Sequence, residues 1–215
     1  MIIDDFMAQY ERARDYYEKA ALLCKQICET GLAQADVRAL VTSRAKSYDT
    51  LRKKIRERNG EKQYLTTEAI YNDIPDLAGV RIALYFPGDR HELDTLIKER
   101  FDVKRQIKDF PHPPSLYEKR FPGYQATHYR VYLREDSLAN DQKQYAKTLI
   151  EIQVATVLMH AWSEVEHDLG YKPVTRELSE DEYAILDEIN GLVLACEIAL
   201  ERLQRAIRRP REGVK

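Results

Sequence analysis

The sequence predicts an α+β domain: a mixed sheet of about five strands flanked by helices, with helical extensions at both ends. Three observations carry that expectation. Apolar residues recur three and four apart from Ile3 to Ile27, and again from Ile185 to Leu203, which is the spacing of a helical stripe. In the centre the period shortens to two, where Val80, Ile82, Leu84 and Phe86 alternate with Arg81, Ala83 and Tyr85, as in a strand. The chain has 215 residues, 44% apolar and 33% charged, which is ample for one core under a heavily charged surface.

Taken in order, Ile3, Phe6, Tyr10, Ala13, Tyr17, Ala20, Cys24 and Ile27 define the first helix, with Gly31 as its stop. This stripe suits packing on the domain, and as a narrow seam it also suits pairing with a second subunit. Residues 36–41 are ambiguous. Ser47 or Asp49 can cap a helix that runs to about Arg58 and ends at Asn59-Gly60; a short helix over 66–72 follows. After the strand at Val80–Phe86, Pro87-Gly88-Asp89 turns into a helix over 91–100. Further strands are expected over 101–110, 124–134 and 147–156, with PHPPSLYEKRFPG between the first two as a loop. Residues 135–146 read as a hairpin or a loop with some helix. Leu158, Trp162, Val165 and Leu169 form the next helical stripe, closed by Pro173. In the last helix Ile185, Ile189, Leu192, Cys196, Ala199 and Leu203 share a face, and Pro210 stops it. The expected division is an N-terminal helix (1–35), a central domain (36–175) and a C-terminal helix (176–215) packed on that domain or on a partner subunit.

Composition narrows the function classes. The formal net charge is -2, so a basic site must be a local cluster, not a global field. Three cysteines, Cys24, Cys28 and Cys196, with no CxxC pair, argue against a disulfide framework or a zinc ribbon and point to a reducing, cytoplasmic setting. No run approaches the roughly 18 apolar residues of a membrane span. The N-terminus enters a charged helical pattern and lacks the features of a secretory signal.

Two acidic residues stand out. Asp76 lies in IPDLAGVRI, just ahead of the first strand, and Glu151 lies inside TLIEIQVAT, where it shares a strand face with Leu149, Gln153 and Ala155. A carboxylate in an apolar strand is costly unless paired, hydrated or bound to a metal. If the two strands are neighbours, the pair makes a magnesium site, because magnesium takes few protein oxygens and fills its shell with water and phosphate oxygens. Otherwise they are an edge-strand Glu facing water and a turn Asp. The run Arg44, Lys46, Arg52, Lys53, Lys54, Arg56 and Arg58 is either a solvated helix face or, with Arg44 and Lys46 near a helix N-terminus, a polyphosphate cradle. In GYQATH, Tyr124 can offer a ring to a base, while His128 with Lys119 and Arg120 can reach phosphates; the alternative is a glycine turn into a strand. His160, Glu164 and His167 fall on one helical side. Without the HExxH spacing, hydrogen bonds that brace a cleft are expected there, not zinc, and Lys172 could reach back to a phosphate or carboxylate.

Together the ordered pieces SRAKSYDTLRKK, DLAGVRI, GYQATH, EIQVAT and MHAWSEVEHDLGYK resemble the synthetase domain of the RelA/SpoT family, most of all its short members, the small alarmone synthetases. The resemblance covers about Val41 to Lys172. It implies a nucleotidyltransferase-like sheet and a magnesium-dependent ATP pyrophosphokinase that makes (p)ppGpp from ATP and GDP or GTP, commonly as a homo-oligomer (dimer or tetramer). It implies ATP binding by Arg44, Lys46, Lys54 and Arg81, with Arg44 and Arg81 on the adenine. Asp76 is matched to a magnesium ligand and Glu151 to the catalytic acid that helps hold magnesium and activates the 3′-hydroxyl. Tyr124 would stack on the acceptor guanine, His128 would lie beside the acceptor's phosphates, and Gln153 belongs to the same strand signature. The family often has GYRSLH and an Arg-Thr ending on the glutamate strand. Here Gln125, Ala126 and Ala155 stand instead, which leaves an adenosine nucleotide or the tRNA 3′ end as alternative acceptors. A degenerate nucleotide-sensing or helical interaction module is the non-enzymatic alternative. The only His-Asp dipeptide is His167-Asp168, inside the helix motif, so a synthetase without a hydrolase is expected.

Overall fold

A computed structural model describes residues 2–108, 120–123, 125–171 and 178–208. Five strands form one sheet in the order β1-β2-β5-β4-β3: β1 Ala39–Ala45, β2 Ala78–Leu84, β3 Phe101–Ile107, β4 Thr127–Leu133 and β5 Ile150–Thr156. Strands β2 and β5 are parallel and the other pairs antiparallel, so the sheet is mixed, as expected. The helices are α1 Ile2–Gln34, α2 Tyr48–Lys62, α3 Thr67–Asp73, α4 Arg90–Arg100, α5 Val157–Glu166 and α6 Glu180–Arg208.

Strand alternation sorts the sheet into two faces. Val80, Ile82, Tyr129, Val131, Ile150 and Ile152 are buried on one face, against α1 and α4, with Cys24, Cys28, Leu93 and Ile97 in the same core. A second cluster joins Phe6, Met7 and Tyr10 of α1 to Leu51 and Ile55 of α2 and to Ile70 and Ile74. Each such buried side chain contributes ~1.5–3 kcal/mol. The stripe on α1 therefore packs on its own domain. The opposite face of the sheet carries Arg44, Gly79, Arg81, Glu151, Gln153, His128 and Arg130, by the register of the ladders.

Several helix ends differ from the sequence reading. Gly31 does not stop α1. It sits inside the helix, where a Cβ would come within 2.7 Å of Leu96 Cδ1, and the chain turns instead at Asp36, whose φ is 51°. Likewise α2 passes through Asn59-Gly60. Asn59 serves the exit from three residues inside: its side chain accepts from the Tyr64 N–H at 2.8 Å and its carbonyl from the N–H of Gln63, which takes the left-handed conformation. Ser47 and Thr66 are the N-caps of α2 and α3. Residues 36–41 prove to lead into β1, an edge strand.

The first of the two C-terminal stripes is a correction, and the second turns away from the domain. In α5 the buried residues are Met159, His160, Trp162 and Glu166, whereas Val165 and Leu169 are 45% and 49% exposed. The helix passes into a π-type turn over His167–Tyr171, which shifts the phase at Leu169, while Val165 already faces outward within the regular helix. In α6 the expected apolar face looks outward: Ile185, Ile189, Leu192, Cys196 and Leu203 are exposed. The inward residues are Leu186, Asp187, Asn190, Glu197 and Gln204, held by directional bonds. Asp187 accepts from the N–H of Arg120 at 2.8 Å, Asn190 donates to the carbonyl of Pro122 at 2.9 Å, and Glu197 accepts from Thr156 Oγ1 at 2.6 Å.

Thr156 also accepts from the Met159 N–H at 3.1 Å, as N-cap of α5. One hydroxyl thus joins β5, α5 and α6. Thr156→Val is expected to lower stability by ~1–2 kcal/mol, from the lost cap and the bond taken from a buried carboxylate; urea unfolding of the two proteins measures it.

Candidate active site

The register places the functional side chains in rows across the open face of the sheet. Arg44 pairs with Gly79, Gly79 with Glu151, and Glu151 with Arg130. The next row is Thr42, Arg81, Gln153 and His128. Directly paired residues share a face with side chains about 5 Å apart, so neighbours in a row are neighbours in space. Gly79 presents no side chain between Arg44 and Glu151. Around that gap lies a cleft of about 170 Å³, whose lining includes Arg44, Lys46, Asp76, Gly79, Arg81, Glu151 and Gln153. A Cβ at Gly79 would make only ordinary contacts, 3.8 Å from the Glu151 carbonyl. Gly79→Val is therefore expected to keep the fold yet fill the floor of the cleft, with a drop of at least ~10-fold in turnover, since small displacements of bound groups are amplified in rate; circular dichroism beside a rate assay separates the two effects.

Asp76, on the loop between α3 and β2, is the hub of the basic residues. Lys46 Nζ donates to Asp76 Oδ2 at 2.5 Å, and Lys54 Nζ donates to both carboxylate oxygens at 3.0 and 3.1 Å. Burial alone would raise the Asp76 pKa; the charges and hydrogen bonds of Lys46 and Lys54 outweigh it and hold the carboxyl below its usual range. Lys46 follows β1, and Lys54 stands about two turns into α2, so strand, cap and helix together aim two ammonium groups at one carboxylate.

Glu151 is 7% exposed. Burial pushes its pKa up, but hydrogen bonding and charge from His128 and a hydrogen bond from Gln153 prevail, leaving it lowered, while the Asp76 charge works against ionisation. Gln153 Nε2 donates to Glu151 Oε2 at 2.9 Å and His128 Nδ1 lies 3.7 Å from Oε1. Both acids are thus ionised groups on one cleft with cations around them.

Arg44, Lys46, Asp76, Arg81, Glu151 and Gln153 are thus brought onto one cleft, with Lys54 joined through Asp76 and His128 through Glu151. Arg120 stands apart: its backbone N–H is tied to Asp187, and the residue is exposed. Lys119, Tyr124 and Lys172 lie outside the described residues. Of the helical trio, Glu164 pairs with Arg81 at 2.7 Å. His160 is buried, with Nε2 3.3 Å from the Ile82 carbonyl; burial and the Arg81 charge push its pKa down to about 4. His167 is exposed beside Asp168. The Glu164 charge also acts on His160, and among the described residues no group of three His, Cys, Asp or Glu side chains could hold a metal.

Sequence reasoning missed Gly79, Arg130 and the polar face of α6. The first two were hidden because the β1 pairing and the β4–β5 register were not known; with the register in hand, both fall beside Glu151. The Nε of Arg130 is buried and has no hydrogen-bond partner.

A five-strand mixed sheet flanked by helices, with acidic and basic side chains gathered in one cleft on its open face, defines an α+β protein built around a charged site. The family model described as the region found in RelA / SpoT proteins matches residues 43–176, and the chain belongs to the RelA/SpoT family. It is 27% identical to the GTP pyrophosphokinase YwaC of Bacillus subtilis over 143 residues, which are 65% of this chain and 62% of YwaC; it thus spans less than two thirds of that relative. Its fold matches a GTP pyrophosphokinase family protein from Streptococcus pneumoniae with a TM-score of 0.72 and 21% identity, covering 93% of this chain and 95% of the other. It also matches the small alarmone synthetase 1 of Bacillus subtilis, with a TM-score of 0.70, 20% identity and coverage of 94% and 98%.

Proposed function

We propose that this chain is a small alarmone synthetase that moves pyrophosphate from ATP to the 3′-hydroxyl of GDP or GTP. The observation that carries the reading is the shared cleft of Asp76 and Glu151, ringed by Arg44, Lys46 and Arg81. The same fold in Bacillus subtilis small alarmone synthetase 1 has been crystallised with its product pppGpp and with AMPCPP, one ligand of each half of such a reaction.

Lys46 and Lys54, at the end of β1 and on α2, bind the ATP phosphates in this reading, and the guanidinium planes of Arg44 and Arg81 hold the base. The donor set fits magnesium: two ionised carboxylates on one cleft, the number that ion takes when phosphates complete its shell. Asp76 and Glu151 would hold it, and it would supply neutralisation of the triphosphate charge. Glu151 accepts the proton of the 3′-hydroxyl as its oxygen bonds to the β-phosphorus; the bond from that phosphorus to the α–β bridging oxygen breaks, and AMP leaves with the electron pair. His128 and Gln153 fix the Glu151 carboxylate for that transfer. Tyr124, His128, Lys119 and Arg120 form the acceptor side in this reading.

Incubation with labelled ATP, magnesium and a panel of GDP, GTP, ADP, AMP and deacylated tRNA tests the reading. Label is expected on GDP or GTP. Transfer only to an adenosine nucleotide or to tRNA would reassign the acceptor, and nucleotide binding without transfer to any of them would reduce the chain to a sensing module.

The chain also acts as a homo-oligomer in this reading, with a second copy covering the outer face of α6. Ile185 is 55% exposed, Leu192 61% and Leu203 51%, an arrangement costly in water for a lone chain, and a stripe on one long helix is self-complementary about a two-fold axis. Leu192→Glu is expected to shift the protein to monomer in light scattering. An unchanged mass would remove α6 from the interface.

A further inference from the structure

A second cavity lies apart from the catalytic cleft. It has a volume of about 350 Å³, twice that at Glu151, and falls within the ~300–1,000 Å³ range of small-molecule sites. It lies at the end of the sheet where β2 and β5 begin. Its side chains include four tyrosines, Tyr16, Tyr17, Tyr71 and Tyr132, and two lysines, Lys104 and Lys147, with no carboxylate in the lining.

These rings are held in place. Tyr16 donates from its hydroxyl to the Gln144 carbonyl at 2.7 Å and accepts from Thr148 Oγ1 at 2.7 Å. Its ring meets Tyr17 edge-on at 5.7 Å and Tyr145 at 4.9 Å. Lys104 Nζ stands 5.8 Å from the centre of the Tyr132 ring. Neither Lys104 nor Lys147 has an ion-pair partner among the described residues, whereas Lys46 and Lys54 at the catalytic cleft are both paired with Asp76. Two uncompensated ammonium groups beside fixed aromatic walls attract a ligand that is both flat and anionic: the ring stacks on tyrosine and the anion neutralises the lysines.

We propose that this cavity is a second nucleotide-binding site, distinct from the catalytic cleft, that takes a nucleoside phosphate with its base among the tyrosines and its phosphate between Lys104 and Lys147. Tyrosine rings accept any base, because every base offers a π-face, so the site selects for base plus phosphate and little for base identity. It also touches the catalytic machinery through the backbone. Ile74, Pro75 and Leu77 line this cavity while Asp76, between them, lines the cleft; Leu149 lines it two residues ahead of Glu151.

The test is calorimetric titration of the full chain with UMP, a nucleotide that matches neither the donor nor the acceptor expected in the catalytic cleft. Saturable uptake of one equivalent is expected, weakened at least ~10-fold by Lys104→Gln with Lys147→Gln, and also by Tyr132→Ala, but not by Arg44→Ala in the cleft. Both lysines are exposed, so the double variant is expected to melt with the parent. Inorganic pyrophosphate, an anion without a ring, is expected to bind at least ~10-fold more weakly than UMP. Absent saturation, unchanged affinity in the double lysine variant, loss of UMP binding in Arg44→Ala, or equal binding of pyrophosphate would each overturn the assignment. None of these outcomes depends on whether the chain transfers pyrophosphate.

Discussion

Glu151→Gln is expected to retain ATP and acceptor binding and to lose nearly all turnover, by ~10²–10⁴-fold, the range of a positioned general base. The amide keeps the shape of the side chain and can still meet Gln153 and His128, so the strand and its burial are undisturbed. What disappears is the charge, and with it the capacity to take a proton. Glu151 is suited to that role because its pKa is held below the ordinary value of 4.5 against the pull of burial, which leaves it unprotonated at neutral pH. A calorimetric titration with a non-hydrolysable ATP analogue, run beside the transfer assay, separates binding from chemistry. Turnover within ~10-fold of the parent would remove Glu151 from the base role.

Asp76→Asn is expected to damage both activity and stability. The substitution leaves Lys46 and Lys54 aimed at a neutral group, two ammonium ions at one point. Breaking a fully buried pair costs ~3–5 kcal/mol; with side-chain exposures of 17% for Asp76 and 31% for Lys54, the expected loss is a screened ~1–2 kcal/mol. Turnover should fall by ~10²-fold or more if one of two magnesium ligands is lost, with a raised magnesium requirement. The pH dependence has a definite sign. The folded carboxyl titrates below its ordinary 3.8, so its stabilisation is complete above that value and disappears as the pH falls through the lower, folded one. Parent and variant should therefore differ in urea unfolding at neutral pH and converge in strong acid. A constant difference down to low pH would mean that the lysines do not set the Asp76 titration.

The sheet and most of the cleft were legible because strand alternation and residue chemistry agreed. On β2 and β5 the inward residues are large and apolar, and the outward ones include Arg81, Glu151 and Gln153, so period and function pointed to the same face. β1 was obscured. Its inward residues are Val41, Ser43 and Ala45 and its outward ones Leu40, Thr42 and Arg44, a weak contrast that suits an edge strand but resembles a loop. α6 left its placement open for the opposite reason. Its apolar periodicity is real, yet it marks the outer face, because the inner face is fixed by hydrogen bonds whose partners come from distant parts of the chain: Arg120, Pro122, Thr156 and Asp89. No local pattern in a sequence announces such partners. Gln204, for instance, donates from Nε2 to Asp89 at 2.5 Å across 115 residues, and Gly88 is spared a Cβ that would collide with Gln204 Oε1.

Those inward anchors on α6 fall at Asn190, Glu197 and Gln204, one heptad apart. An apolar seam can slide and still be greasy; a seam of specific donors and acceptors fits at one height and one rotation only. Whatever meets the outer stripe therefore encounters an edge already set in place, and it meets a helix whose other side grips residues 120–122, the approach to Gly123. If a second copy covers that stripe, as proposed, subunit concentration and grip on the incoming nucleotide become two readings of a single lever, and dilution is expected to weaken acceptor binding before ATP binding.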